Sequence, residues 1–417
     1  MKLLLLIMAA CICGCGLASD NIVTLVTNRQ EIAAYSETFN SAQNTHRLEI
    51  QYRETTPAAL DFSEGAPDLI IMENLAGKTS ARNFRSLDSI FGGSGPAKKS
   101  FYSSLLLAGQ YEKGQVLIPV SFNLPVLMFD TRIPGPEAAA FMINLDDLPE
   151  LAAPWNKRNK EGFVSMGFAP RWDPDFLVQA AVMRGAAFLE GSDSILSWNQ
   201  NNLTQTLNFL RTWTAGHNGG ANAEIAYAEK YLYDPPYRQV SLGRVKYAFT
   251  TVADFFLLPE NRRISLDFRW LAREDKIYAS EKILFAGIPD RSKNPGGAEA
   301  FLRWLFSPDT QKALLELSHR KMPQIFGIAS GFSPLRQINE ETLPRLYPHL
   351  AGHIPPEDIL VFSHPLPYTW NSIKAQVLIP WMLRKISADP DRQAERASAG
   401  ADDLADALHG WLQHQAR

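Results

Sequence analysis

Beyond its first fifteen residues this chain of 417 contains no cysteine. The three it has, Cys11, Cys13 and Cys15, crowd into an apolar leader, so the body holds no disulfide, no thiolate zinc site and no thiol nucleophile. An excess of charge is missing too. The net charge is −3, charged residues make up 20%, and there is neither an acidic tail nor a basic stripe to follow a nucleic-acid backbone. No apolar run reaches the roughly 20 residues a membrane-spanning helix needs. The chain lacks a G-x-S-x-G nucleophile turn. Residues 92–100 fail as a phosphate-binding loop, because Ala97 stands before Lys98 where glycine is required and Pro96 removes a backbone N–H. His349 and His353 have the i, i+4 spacing of a metal pair, but Pro348, Gly352 and Pro355-Pro356 argue against a regular helix there. The acidic pairs Asp146-Asp147 and Asp173-Pro174-Asp175 suit helix starts as well as the paired carboxylates of glycoside hydrolysis. No catalytic residue, cofactor or metal site is assigned.

What is present begins with a leader. Lys2 precedes the apolar residues 3–10, the pattern of a signal peptide. Ile12-Cys13-Gly14-Cys15 follows and resembles the bacterial lipobox, in which small residues precede a cysteine that accepts a diacylglyceryl group. Cys15 is the expected lipidation site, with Cys11 as the poorer candidate. Residues 1–14 would be removed and 15–20 would tether the body to a membrane. Hydrophobic residues at 46% and aromatics at 11% exclude a disordered chain. The length suits two compact units stabilised by their cores alone.

The body opens with an apolar strand at residues 22–26. A helix follows with Ile32, Tyr35 and Phe39 on one face. A strand comes next with Leu48, Ile50 and Tyr52 alternating, and then a buried strand at residues 69–72. This alternation predicts an α/β lobe with a largely parallel sheet. Further strands are expected at residues 116–120, 126–129, 245–249 and 283–288. Further helices are expected after a cap at residues 199–202, over 295–306, from Pro308 onward, over 373–386 with an interruption at Pro380, and near Trp411 after a break at Asp389-Pro390.

Several ordered segments resemble the family 1 extracellular solute-binding proteins, the maltose- and multiple-sugar-binding type that serves ABC importers. These are Ile22 through Asn28, Phe39-Asn40, Ala66-Pro67-Asp68 through Asn74, Gly114 through Ser121 followed by Pro125 through Asp130, and Leu145-Asp146-Asp147-Leu148. The best match is Arg291-Ser292-Lys293-Asn294-Pro295 running into Phe301 through Lys312. The resemblance implies an α/β, two-lobed periplasmic-binding-protein type II fold with discontinuous lobes joined by hinge crossings. The N-terminal lobe would comprise residues 21–129 plus 282–328, and the C-terminal lobe 130–281 plus 329–417. Crossings would fall near 128–132, 276–283 and 326–332. The implied role is a substrate-binding lipoprotein that carries a small solute, a carbohydrate above all, to ABC permease subunits. It would sit outside the cytoplasm, held to a membrane by its lipid, with no enzymatic chemistry and no nucleic-acid partner. The alternative is an envelope lipoprotein that uses the same fold as a receptor.

A sugar site needs aromatic faces and polar hydrogen-bonding groups on loops at strand ends. The candidate ligand-binding residues are Asn28 and Arg29, Glu73 and Asn74, Phe122 and Asn123, Arg171, Trp172 and Asp173, Asp254 and Phe255, and Trp370. Leu145 stands where the family often has tryptophan, and phenylalanines stand at 255–256, which weakens the case for a long oligosaccharide stacked on several tryptophans.

Overall fold

The computed structural model describes residues 21–54, 65–93, 95–191, 195–321, 325–363, 365–387 and 403–415. The signal peptide, tether and Cys15, and the break at Asp389-Pro390, lie outside these residues. No helix among the described residues is long and apolar enough to cross a membrane.

The strands run in chain order as follows. β1 (Ile22–Thr27), β2 (Arg47–Tyr52) and β3 (Leu69–Glu73) come first; a hairpin of β4 (Gln110–Tyr111) and β5 (Gly114–Gln115) then leads to β6 (Leu117–Ser121). β7 (Pro125–Asp130), β8 (Met142–Asn144), the β9–β10 hairpin (Lys157–Asn159, Gly162–Ser165), β11 (Ala248–Thr251) and β12 (Leu266–Ala272) follow. The last are β13 (Ile277–Tyr278), β14 (Leu284–Gly287) and β15 (Leu360–Val361).

Two sheets organise the molecule. The first has the order β2-β1-β3-β14-β6 and the second β11-β7-β12-β8. In the first, β1 lies parallel to β2 and β3 (Val23 opposite Leu48, Leu25 opposite Leu69), and β14 is antiparallel to β3 and β6. Every residue of β3 is buried, as expected of an apolar run covered on both faces. Pro119 fits in β6 because that strand is at the sheet edge, where a missing N–H breaks no ladder. The helix Glu31–Ala42 turns Ile32, Tyr35 and Phe39 into the core, the stripe its spacing predicts.

One node explains two of the quoted motifs together. The Asp68 carboxylate accepts from Thr24 N (3.0 Å), Ser292 Oγ (2.8 Å), Lys293 N (2.9 Å) and Asn294 N (2.7 Å). Asn294 then caps the helix Pro295–Leu305 by accepting from Gly297 N at 3.0 Å. The Pro67-Asp68 turn and the Ser-Lys-Asn-Pro segment are therefore the two halves of one clasp.

The structure moves some boundaries. Residues 245–247 do not join the ladder, because Lys246 N and Tyr247 N both donate to Gly167 O, so β11 starts at Ala248. Pro380 does not interrupt its helix. A π-helical turn at Lys374–Leu378 precedes it, and the wider turn accommodates a residue without an N–H. The first crossing lies at residues 122–124, ahead of 128–132, because β7 pairs wholly within the second sheet (Met128 opposite Ala248, Val126 opposite Trp270). The lobe boundary expected at 129/130 shifts accordingly. The second change of sheet lies between Tyr278 and Leu284. The third lies beyond 326–332. Ser333 donates to Gln311 Oε1 and Asn339 to Tyr102, which keeps this stretch on the first lobe, whereas His353 O accepts from Trp270 Nε1 of the second sheet.

Aromatic rings fill the hinge. Phe122 bridges Phe332 through paired backbone bonds, and their rings stack at 5.5 Å. Phe332 meets Trp270 and Phe326, and Phe326 stacks on Phe256 at 5.0 Å. One apolar core thus runs from the first lobe through the hinge onto one face of the second sheet. A second core packs the other face of that sheet against the helices Pro174–Met183, Gln200–Gly216 and Ile379–Ser387.

Candidate functional site

The expected site residues separate into three groups. On the first lobe, Asn28 and Arg29 follow β1, and Glu73 and Asn74 end β3. Arg29 forms an ion pair with Glu73, joining the two loops. Asn74 has φ 58°, a left-handed turn that asparagine tolerates, and it redirects the chain at the strand end. Asn28 Oδ1 and Arg29 Nε are buried without a protein hydrogen-bond partner.

On the second lobe, Arg171, Trp172 and Asp173 precede the helix Pro174–Met183. Asp173 caps that helix, its Oδ1 accepting from Asp175 N (2.9 Å) and Phe176 N (3.2 Å). Burial pushes its carboxyl up to about 6. Trp172 is half-buried, stacks on Tyr227 at 5.4 Å and donates to Glu224 O at 3.2 Å. It is the aromatic of the expected set that keeps part of its surface. Arg171 donates through Nη2 to Ser387 Oγ at 3.0 Å, while its buried Nη1 has no protein partner. Beneath Trp172, Glu224 is fully buried with Asn218 donating to it at 2.7 Å, and burial pushes its carboxyl up to about 7.

The third group leaves the cleft surface. Phe122 belongs to the hinge stack, and Phe255 packs among Phe256, Phe268 and His349. Trp370 is fully buried against Phe188. These three rings therefore offer no face to a solute, because core packing uses them. Asn123 is occupied by the hinge. Its amide donates to Thr251 Oγ1 at 3.2 Å, its side-chain oxygen accepts from Ala253 N at 3.3 Å, and its backbone oxygen accepts from Ser280 N at 2.9 Å. Asp254 is exposed and exchanges hydrogen bonds with Thr251 at the start of the helix Val252–Leu257.

A charged cluster beside the second crossing escaped sequence reasoning. Lys374 Nζ donates to Asp175 Oδ1 (2.8 Å) and Glu281 Oε1 (2.6 Å), and Lys282 Nζ reaches Asp175 Oδ2 at 3.1 Å. Burial alone would lower the Lys374 ammonium, but the charge of Glu281 and the bonds to both carboxylates outweigh it and hold the value above normal. The cluster ties the crossing to two elements of the second lobe. A narrow hollow lined by Asn74, Ala76, Glu281, Ile283 and Leu366 lies beside it, between first-lobe loop and crossing.

The site thus presents paired charges and a few unpaired polar atoms on loops at strand ends. Of the eleven buried side-chain atoms without a partner among the described residues, three fall on the expected loop residues Asn28, Arg29 and Arg171. Such atoms are costly unless a bound molecule or water completes them, so these loop residues have hydrogen-bonding capacity that a polar solute can take up.

No family model matches the chain, and no curated protein matches it in sequence. Solved structures do match its fold. An ABC substrate-binding protein from Listeria monocytogenes in complex with cycloalternan superposes with a TM-score of 0.62 at 12% identity, covering 95% of this chain and 99% of that one. The maltose/maltodextrin-binding domain from Bdellovibrio bacteriovorus bound to maltotriose gives 0.58 at 13% identity, covering 94% and 100%. The cyclic alpha-maltosyl-1,6-maltose binding protein from Arthrobacter globiformis gives 0.56 at 15%, covering 93% and 96%. The chain therefore has the two-lobed α/β architecture of these binding proteins over nearly its whole length.

Proposed function

We propose that this protein is the solute-binding component of an ABC importer and that its solute is a short carbohydrate held between the lobes. The supporting observation is the fold, which matches sugar-binding proteins across at least 93% of the chain. In this reading Arg29, Glu73 and Asn28 hold the sugar on one lobe, and Arg171 and the open part of Trp172 meet it from the other. Binding shifts the lobes toward closure, and a membrane permease recognises the closed form. The protein performs no chemistry on its solute. A lipid on Cys15 anchors it on the outer side of a membrane, close to that partner.

Titration calorimetry with maltotriose and mannobiose tests the ligand class. Binding should be measurable for at least one, and Arg29→Ala and Arg171→Ala should each weaken it about tenfold or more. Absence of heat with these and a wider panel of sugars and polyols would sink the carbohydrate reading. For the anchor, mass spectrometry of the mature N-terminus should find the lipid on Cys15, and an unmodified Cys15 would refute that part.

A further inference from the structure

Away from the solute loops, a carboxylate of the second lobe reaches across to the first. Glu190 belongs to the second lobe. Its loop is fastened there by the bridge between Leu189 and Ser197, with paired backbone bonds of 3.1 and 2.9 Å, and by Phe188 packing on Trp370. Its side chain nevertheless reaches the first lobe. One oxygen accepts from the Thr79 hydroxyl and the other from Thr79 N at 3.2 Å. Glu190 is 8% exposed, so this contact is made largely out of water.

Gly77 makes the approach possible. A Cβ there would stand 2.7 Å from Glu190 Oε2 and 2.9 Å from Leu366 O, and the second of these is backbone that cannot swing aside. The preceding residue is braced as well, since the Tyr111 hydroxyl donates to Ala76 O. Leu366 lies in the second core, on the second-lobe segment that leads into the C-terminal helices. At this point the turn after β3 on the first lobe therefore meets two parts of the second lobe, the Glu190 loop and the Leu366 segment.

We propose that Glu190, Thr79 and Gly77 form a latch that selects one lobe arrangement in the protein without solute. A rotation of one lobe against the other has to break this contact and exchange its two charge-assisted hydrogen bonds for water, which biases the equilibrium toward the latched arrangement. The latch is distinct from the solute loops, since neither Glu190 nor Thr79 touches Arg29, Glu73, Arg171 or Trp172 by any hydrogen bond described above. The inference rests on lobe geometry and does not require the solute to be a sugar.

The test is made without ligand, so its failure is separable from failure of the proposed function. Spin labels on cysteines introduced at exposed Glu49 and Ala226 report the distance between lobes by pulsed electron resonance. Thr79→Val, which keeps the shape, and Glu190→Ala should both change the ratio of lobe arrangements about tenfold or more, with circular dichroism unchanged. Gly77→Ala should produce the same shift with Glu190 intact, because the added methyl displaces the carboxylate. Distance distributions identical to the parent in Thr79→Val and Gly77→Ala would overturn the latch, as would a shift in Glu190→Ala alone.

Discussion

In the first lobe the buried carboxylate of Asp68 is met by neutral donors, three backbone N–H groups and the Ser292 hydroxyl. In the second lobe the Glu137 side chain, 1% exposed, is met by the Lys246 ammonium and the Tyr247 hydroxyl, and the adjoining Arg269 guanidinium donates to the Glu137 backbone oxygen. Both arrangements satisfy a buried anion. The first desolvates one charge and uses it to clasp a strand to a helix cap. The second desolvates two, so removal of either partner strands the other in a low-dielectric interior. A lobe held by neutral donors should therefore lose less when one member is changed than a lobe held by opposed charges.

The sharpest test of this contrast is Glu137→Ala, expected to cost about 3–5 kcal/mol in denaturant unfolding, with Glu137→Met combined with Lys246→Met recovering most of the loss. Next comes pH. The Glu224 carboxyl, raised from 4.5 to about 7 in the fold, keeps a proton that the unfolded chain sheds. Its share of stability is therefore full below about pH 4.5, falls as pH rises to about 7, and is flat beyond. Glu224→Gln should flatten that decline and raise stability at pH 8 by up to about 3 kcal/mol, read by urea unfolding at pH 5 and pH 8. Asp68→Asn, which keeps shape but replaces an acceptor oxygen by a donor NH2, should cost about 1–3 kcal/mol. If it costs more than Glu137→Ala, the contrast between the lobes fails. Asn199→Ala removes the cap of the helix Gln200–Gly216, where Asn199 Oδ1 accepts from Asn202 N at 3.1 Å, and should lower stability by about 1 kcal/mol. Lys230→Ala breaks an exposed pair with Glu161 and should leave the thermal unfolding midpoint unchanged.

Local elements were legible in the sequence because each rests on periodicity or capping within a few residues. The stripe of Ile32, Tyr35 and Phe39, the apolar run of residues 69–72 and the Asn199 cap are examples. The crossings were harder. β6 and β7 are both fully buried apolar strands separated by three residues, so composition does not reveal that they lie in different sheets. Among the site residues, the loops at Asn28-Arg29 and Glu73-Asn74 could be placed at strand ends from the strand pattern alone. Phe255 and Trp370 could not be assigned, because an aromatic ring serves a core and a cleft equally well. The Lys374 cluster was invisible for another reason. Its members stand 93 and 199 residues apart, and only the returning chain brings them together.

The position of β14 has a consequence for how the molecule comes into being. This strand sits between β3 and β6, yet the ribosome delivers it only after the entire second sheet has been made. Until then β3 and β6 each present an unpaired edge, the kind of edge that invites mispairing with other chains. The usual order of synthesis, in which the leading unit folds first, is therefore unavailable to the leading lobe. The leading lobe of the nascent chain therefore stays incomplete until residue 287 has emerged.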